Sequence, residues 1–279
     1  MGVDRKIPIT AVIFSLNEEK NIEDCVGTLV DFEEIVVVDS GSSDATLAIC
    51  SRLNVRVVHF KWDGKYPKKR QWTLDNVSFR TKYILFIDAD ERCGENLAQE
   101  LKQLVTQKSN EFSAAKVKLD YYFSNRQLRH GHVMWKTALM DPKKVNFAPV
   151  DDLQAKGMGE LEGHYQPAVI GKTLKLKNRL THNDNDYLDS WVERHVRYAN
   201  WEAYFINRPN LRHEILQRKS RGQFALRIPK LQGFGYFIYS YFLKMGFLDG
   251  RAGFNFAFGK SWYYWLISEI AREQRNRAQ

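Results

Sequence analysis

Carboxylates in this chain fall where apolar segments stop. After Tyr83-Ile84-Leu85-Phe86-Ile87 the sequence turns at once to Asp88-Ala89-Asp90-Glu91. A β-favouring apolar run of this kind reads as a buried strand, and its polar end lies at the carboxyl edge of a sheet, where open α/β folds bind ligands. Two hard oxygen ligands at that edge suit Mg²⁺ or Mn²⁺ held against a diphosphate. The same Asp-x-Asp also fits an ordinary turn or helix cap. Two more apolar runs end in the same way. Ile7 to Phe14 runs into Ser15-Leu16-Asn17-Glu18-Glu19, and Val36-Val37-Val38 into Asp39-Ser40-Gly41-Ser42-Ser43-Asp44. A carboxylate at Asp39 can accept a hydrogen bond from a nucleobase N–H or a ribose hydroxyl, while Gly41 gives the backbone room to turn. Capping of turns and helix starts is the competing role, and for Asp44 the favoured one. Three polar strand ends on one rim point to a site.

The elements needed to bring those ends together are legible in the periodicity. Strands are expected at Ile7 to Phe14, Glu34 to Asp39, Val55 to Phe60 and Tyr83 to Ile87. Helices are expected between and after them, at Asn17 to Val30, Asp44 to Leu53, Lys68 to Val77 and Glu95 to Thr106. Repeated β-α units imply a parallel sheet with right-handed crossovers. After residue 110 the pattern loosens into strand-like pieces, Ala114 to Phe123 and Leu139 to Asp141, then a Gly-rich stretch from Lys156 to Tyr165. A helix from Tyr187 to Ile206 follows, with Leu188, Trp191, Val192, His195 and Ala199 at helical spacing.

With 279 residues and 44% hydrophobic content the chain can bury a sizeable core, as one large domain or one domain with an appendage. Cys25, Cys50 and Cys93 lack C-x-x-C spacing, so neither a disulfide framework nor a zinc site is suggested, and a reducing compartment fits. The first residues show no signal-peptide pattern, and Lys6 stands where a myristoylation signal wants Ser or Thr. A cytoplasmic protein is expected.

Taken together, Phe14-Ser15-Leu16-Asn17-Glu18, Val37-Val38-Asp39-Ser40-Gly41-Ser42-Ser43-Asp44-Ala45-Thr46, Lys69-Arg70-Gln71-Trp72 and Phe86-Ile87-Asp88-Ala89-Asp90-Glu91 resemble the family 2 glycosyltransferases. Among these the chain is most similar to the bacterial transferases that build lipopolysaccharide core and other surface glycans. Gly163-His164-Tyr165-Gln166-Pro167 and the stretch from Arg194 to Ala203 also look like signatures of that subgroup. The resemblance spans about residues 7 to 205 and implies an α/β GT-A fold, a mostly parallel central sheet flanked by helices. A basic, aromatic-rich helical region follows it, with the catalytic domain over 1–207 and the appended region over 208–279.

The resemblance also implies roles. Asn17, Glu18 and Asp39 would line the nucleotide pocket, with Lys69 and Arg70 near the nucleotide and diphosphate. A solvated first helical turn is the plainer role for that Lys-Arg pair. Asp88 would face the donor ribose or sugar and share the metal, Mg²⁺ or Mn²⁺, with Asp90 as its firmest ligand and His182 as a late histidine brought to the metal or diphosphate. The base that activates the acceptor hydroxyl would lie in Gly157-Met158-Gly159-Glu160-Leu161-Glu162-Gly163. Glu162 is preferred to Glu160 because it adjoins the Gly-His-Tyr-Gln-Pro signature, and Asp151 and Asp152 are lesser candidates. The expected activity is metal-dependent, inverting transfer of a hexose from a nucleotide-diphosphate sugar, a UDP-sugar by preference, to a lipid-linked or lipopolysaccharide-type glycan. A non-catalytic nucleotide-sugar-binding scaffold and a nucleotidyltransferase are the alternatives. Retention of Asp88, Asp90 and a candidate base argues against the first, and the acidic Asn17-Glu18-Glu19 loop against the second.

The charge is unevenly placed. Residues 1–207 hold 29 Lys plus Arg against 29 Asp plus Glu, whereas residues 208–279 hold 13 against 4, so the whole net charge of +9 belongs to the last quarter. That quarter also carries 15 of the 37 aromatics. Its apolar runs are shorter than the roughly 20 residues needed to span a bilayer. Aromatics mixed with Lys and Arg suit a membrane interface with anionic lipid, where rings lie at headgroup depth. Nucleic acid could use the same composition, but none is expected as a partner. A packed C-terminal subdomain is the plainer alternative, and peripheral association with the inner face of the cytoplasmic membrane is expected ahead of it, with Arg272, Arg275 and Arg277 among its cations.

Overall fold

The computed structural model describes residues 6–124, 126–162, 165–182, 188–211 and 229–277. Of the subgroup signature, Gly163 and His164 therefore lie outside the described residues, as do Asn183, Asp184 and Tyr187.

In chain order the elements are β1 (Ile7–Ser15), α1 (Ile22–Gly27), β2 (Phe32–Asp39), α2 (Thr46–Arg52), β3 (Arg56–His59), α3 (Lys69–Asn76) and β4 (Tyr83–Asp88). Then come β5 (Glu91–Arg92), α4 (Glu95–Gln107), β6 (Ala114–Phe123), β7 (Arg126–Leu128), β8 (Met134–Met140), β9 (Val145–Asn146), β10 (Ala168–Val169) and β11 (Thr173–His182). Among the described residues three α-helices follow: α5 (Leu188–Ile206), α6 (Pro229–Phe237) and α7 (Gly250–Arg277).

The main sheet has the order β3-β2-β1-β4-β8-β6-β11-β5, with β7 paired to β6. Strands β3, β2, β1, β4, β6 and β11 run the same way and β8 runs against them. The fold is thus α/β with a mostly parallel central sheet. The continuous apolar sequence of the central strands follows from burial on both faces. In β4, Tyr83, Leu85 and Ile87 pack on one side with Ile9, Ala11 and Ile13 of β1 and with Leu97 and Leu101 of α4. Ile84 and Phe86 pack on the other side with Val12, Val36 and Val38, against Phe147 and Trp201. Register then levels the strand ends, since Ser15 pairs with Asp39, and Phe14 with Asp88.

The helix expected over Asn17 to Val30 is only α1. Asn17 has φ of 57°, a left-handed conformation that Asn tolerates and that no helix continues through. The strand expected over Leu139 to Asp141 starts earlier, at Met134, and β5 has no counterpart among the expected elements. The three cysteines are buried and unpaired. Burial pushes all three thiols up, that of Cys93 to about 12.

The loops above the sheet are fastened to α5 by one buried ionic group. Asp152 accepts hydrogen bonds from Lys68 Nζ at 2.9 Å, from Trp201 Nε1 at 2.8 Å and from the Tyr66 hydroxyl, and both charged side chains are essentially inaccessible. These partners occupy Asp152, a lesser candidate for the base, as a structural anchor; Asp151 beside it is exposed. The helices α6 and α7 also pack onto the rest of the chain. Ala199 and Ala203 of α5 share a cluster with Tyr263, Ile267 and Ala271 of α7. Gly259 of α7 lies against the Trp191 ring, where an added Cβ would come within 2.9 Å.

Removing one partner of a buried ion pair leaves the other charge uncompensated. Asp152→Leu is expected to cost about 3–5 kcal/mol of stability, with Lys68→Met added to it returning part of the loss. Urea unfolding of wild type, single and double variants measures both; a single variant as stable as wild type would contradict this account.

Candidate active site

The first two strand ends form a laced pair of loops. Asp39 is fully buried, and its carboxylate accepts from Ser15 Oγ at 2.9 Å, from the Gly41 and Ser42 amides at 2.8 Å each, and from Ser42 Oγ at 2.5 Å. These contacts fill the roughly four acceptor positions of a carboxylate and hold its pKa below the ordinary value despite burial. A nucleotide group reaching Asp39 must therefore take the place of a loop donor. Asn17 ties the same loops together, its amide donating to Ser42 Oγ at 2.8 Å and its Oδ1 accepting from the Ser43 amide at 2.9 Å. The Glu18 amide donates to Thr46 Oγ1 at 2.8 Å, and its carboxylate accepts from Asn21 Nδ2 at 2.8 Å. Asp44 accepts from the Thr46 amide and hydroxyl and from the Glu19 amide, as befits a turn and helix-start residue.

At the end of β4 the chain crowds carboxylates, and cations from distant elements answer them. Lys136 Nζ on β8 lies 2.7 Å from Asp88 Oδ2 and 2.6 Å from Glu91 Oε2, and Arg70 lies 3.5 Å from Asp88 Oδ1. The Asp88 amide donates to the same Glu91 oxygen at 2.8 Å. Burial works against charge on Asp88, but Lys136 and Arg70 more than offset it and hold its pKa well below the usual carboxylate range. Glu91 moves the other way, because burial outweighs its share of Lys136. Lys69, from the same helix start as Arg70, is buried and donates to the Ser15 carbonyl at 3.0 Å, and burial lowers its pKa.

The third group joins Asp90 to His182. The short strand β5 pairs with the end of β11, placing His182 opposite Glu91 and opposite Tyr121 of β6. His182 Nε2 then lies 3.3 Å from Asp90 Oδ2, with the ring stacked on Tyr121. Burial raises the pKa of Asp90. Asp90 Oδ1 and His182 Nδ1 are buried without a hydrogen-bond partner. Of the three expected metal ligands, Asp90 and His182 meet, while Asp88 is held by Lys136 and Arg70. Among the described residues no group of three or more His, Cys, Asp or Glu is arranged as a metal site. The orphaned oxygen of Asp90 beside an imidazole still fits a divalent cation whose other ligands come from diphosphate oxygens and water.

The two candidate bases differ in what they face. Glu160 accepts from Ser40 Oγ at 2.5 Å and lies 3.7 Å from Lys69 Nζ, which joins it to the β2 loop. Glu162 is buried against the start of α3, its Oε1 accepting from the Gln71 amide at 2.9 Å. Its Oε2 has no hydrogen-bond partner, and burial raises its pKa despite the nearby Arg70. A small cleft next to them is lined by Arg70, Phe86, Lys136, Thr137, Phe147 and Gln166. Sequence reasoning missed Lys136: a lysine within a strand carries no local signal, and only the β4–β8 pairing brings it to the rim.

Residues 10–154 match the family described as Glycosyl transferase family 2. The chain is 35% identical over 105 residues to the lipopolysaccharide core biosynthesis glycosyltransferase LpsC of Rhizobium meliloti, a match covering 36% of this chain and 38% of that one. The uncharacterized glycosyltransferase RC0292 of Rickettsia conorii is 23% identical over 276 residues, covering 96% of this chain and 92% of its own. The mannosyltransferase PcManGT of Pyrobaculum calidifontis, solved with GDP-Man and Mn²⁺, superposes with a TM-score of 0.50 at 13% identity, covering 95% of this chain and 87% of that one. That likeness shows the fold.

The Lys136 network sets a pH dependence. A carboxylate with a depressed pKa stabilises the fold above its unfolded pKa and loses that contribution as pH falls through the folded one. Replacing Lys136 by Met is therefore expected to destabilise the protein at pH 7, with the gap from wild type narrowing as pH drops below about 4. Urea unfolding at several pH values tests this, and a gap that widens in acid would refute it.

Proposed function

The chain belongs to glycosyl transferase family 2, and from that premise we propose that it transfers a hexose, with inversion, from a nucleoside-diphosphate sugar to a lipid-linked or lipopolysaccharide-type glycan. The observation that carries the reading is the meeting of Asp90 and His182 at the rim shared with the Asn17 and Asp39 loops. The loops of β1 and β2 receive the nucleoside, for which uridine is the expected base, and Lys69 and Arg70 lie beside them for the diphosphate. Asp90 and His182 would hold Mg²⁺ or Mn²⁺, whose chemistry is to neutralise charge on the departing diphosphate. PcManGT, of the same fold, was solved with a nucleotide sugar and Mn²⁺. The name of LpsC, over its shared 105 residues, supports a lipopolysaccharide-type acceptor.

In the transfer itself, the acceptor hydroxyl gives its proton to a carboxylate as its oxygen bonds to the anomeric carbon. The bond from that carbon to the diphosphate oxygen breaks, and the nucleoside diphosphate leaves with the electron pair. Glu162 has the properties of the base: an unpartnered Oε2 and a pKa raised by burial toward the working range. Its other oxygen is fixed by the α3 amide, which aims the group without consuming it. Glu160 is occupied by Ser40 and Lys69, on the nucleotide side.

Asp90→Ala is expected to abolish transfer and metal-dependent nucleotide binding while leaving the melting temperature without ligand near that of wild type. Thermal shifts with UDP- and GDP-sugars, with and without Mn²⁺, read the binding directly. A variant with undiminished turnover would sink the mechanism. Glu162→Gln keeps an acceptor for the Gln71 amide, so donor affinity is expected to hold while turnover falls by about 10²–10⁴. If Glu160→Gln behaves in that way and Glu162→Gln does not, the base is Glu160.

A further inference from the structure

The strongest feature outside the rim is an apolar face on the turn between α6 and α7. Phe242, Leu243, Phe247, Leu248, Phe254 and Phe258 are all exposed there, Leu243 to 71% and Phe258 to 60%. The aromatic rings among them form one connected group. Phe254 and Phe258 stack with ring centroids 6.2 Å apart, Phe237 bridges Phe242 and Phe254 at 6.2 and 5.9 Å, and Tyr241 bridges Phe247 and Phe254 at 6.3 and 5.7 Å. Contiguous exposed apolar surface of this kind marks an interaction site.

This turn is built to stay presented. Its backbone is fastened to the loop before β8: the Gly131 amide donates to the Lys244 carbonyl at 2.9 Å, and Ser240 Oγ donates to the Gly131 carbonyl at 2.9 Å. Asp249 accepts from the His130 amide at 2.8 Å and from the Arg129 amide at 3.2 Å, and faces His130 Nδ1 at 3.1 Å. At Gly246 an added Cβ would come within 2.7 Å of the Ser240 carbonyl oxygen, so close approach fixes the turn's path.

Charge identifies the occupant. Between residues 234 and 268 Asp249 is the only carboxylate, and it is turned inward onto the His130 loop with its side chain 6% exposed. Lys244 and Arg251, which flank the aromatic face, are exposed. At the far end of α7 two of the three arginines have acidic partners, Arg272 lying 2.5 Å from Glu269 and Arg277 3.9 Å from Glu273. Aromatic and leucine side chains flanked by two exposed cations, with the carboxylate withdrawn, match the acyl and headgroup layers of an anionic bilayer. No helix among the described residues is long and apolar enough to cross one. A single strand of nucleic acid would call for more cations and would gain little from Leu243 and Leu248.

We propose that this turn docks the protein on the surface of anionic phospholipid, inserting the Phe242, Leu243, Phe247 and Phe258 side chains at headgroup depth with Lys244 and Arg251 against the lipid phosphates. The proposal goes beyond the transfer reaction and stands without it, since docking requires neither donor nor metal. The test is cosedimentation of the full chain with vesicles of phosphatidylcholine alone or with phosphatidylglycerol added. Wild type is expected to partition onto the anionic vesicles. Phe242→Ser with Phe258→Ser is expected to lower partitioning at least about tenfold at low and high salt alike. Lys244→Glu with Arg251→Glu should lower it by about tenfold or more at low salt and much less at high salt, where screening has already removed the ionic share. All four side chains are exposed, and unchanged circular dichroism checks the fold of each variant. Failure of the wild type to partition, or partitioning indifferent to lipid charge and to both pairs of substitutions, overturns the proposal. So does a dimer in sedimentation velocity that the Ser pair dissociates while wild type ignores vesicles, which assigns the face to a second copy of the chain.

Discussion

Asp88, Asp90 and Glu91 fall within four residues at the end of one strand, and the structure around them is arranged to make that tolerable. Like charges this close in a partly buried setting raise each other's cost of ionisation, so each needs a counter-cation or a neutralising proton. Lys136 on β8 and Arg70 at the start of α3 bring cations to Asp88 and Glu91, while His182 at the end of β11 lies 3.3 Å from Asp90, and all three come from elements outside the strand that carries the carboxylates. The antiparallel insertion of β8 beside β4 brings the first half of that strand, and Lys136 with it, to the rim. The topology and the electrostatics of the rim are thus one problem with one solution.

That coupling also explains what the sequence could convey. Local signals were sufficient for β1, β2, β4 and α4, where apolar runs and helical periodicity are set within a few residues. They were sufficient for the strand ends too, because an apolar run ending in a carboxylate is visible without a partner. They failed at Asn17, where hydrogen bonds to Ser42 and Ser43 from another loop override a helix-like pattern. They failed again at β5, two residues long and defined only by its pairing with β11. Lys136 was invisible for the same reason. Asp152 was visible as a carboxylate but not as the partner of Lys68 and Trp201, which lie 84 and 49 residues away.

The C-terminal helices are coupled to the rim by aromatic contacts. Tyr121 stacks on His182 with ring centroids 5.6 Å apart and meets Phe256 of α7 edge-on at 5.5 Å. His132 lies against both rings, and burial, with Lys260 and His182 nearby, lowers its pKa to about 3. The imidazole that faces Asp90 therefore stacks on a ring that the last helix backs. Whatever fixes that helix also fixes the ring.

The buried cysteines carry a practical corollary. Cys25 Sγ lies 3.8 Å from the Asp88 carbonyl oxygen, beneath the rim, while Cys50 belongs to α2 and Cys93 to the segment after β5. With thiols shielded and their pKa values pushed up, alkylating reagents find almost no thiolate in the closed protein. Labelling must then wait for the surrounding element to open, so its rate reports local opening free energy. Since the three sites belong to different parts of one core, mass-resolved labelling would clock each part separately, with no engineered probe.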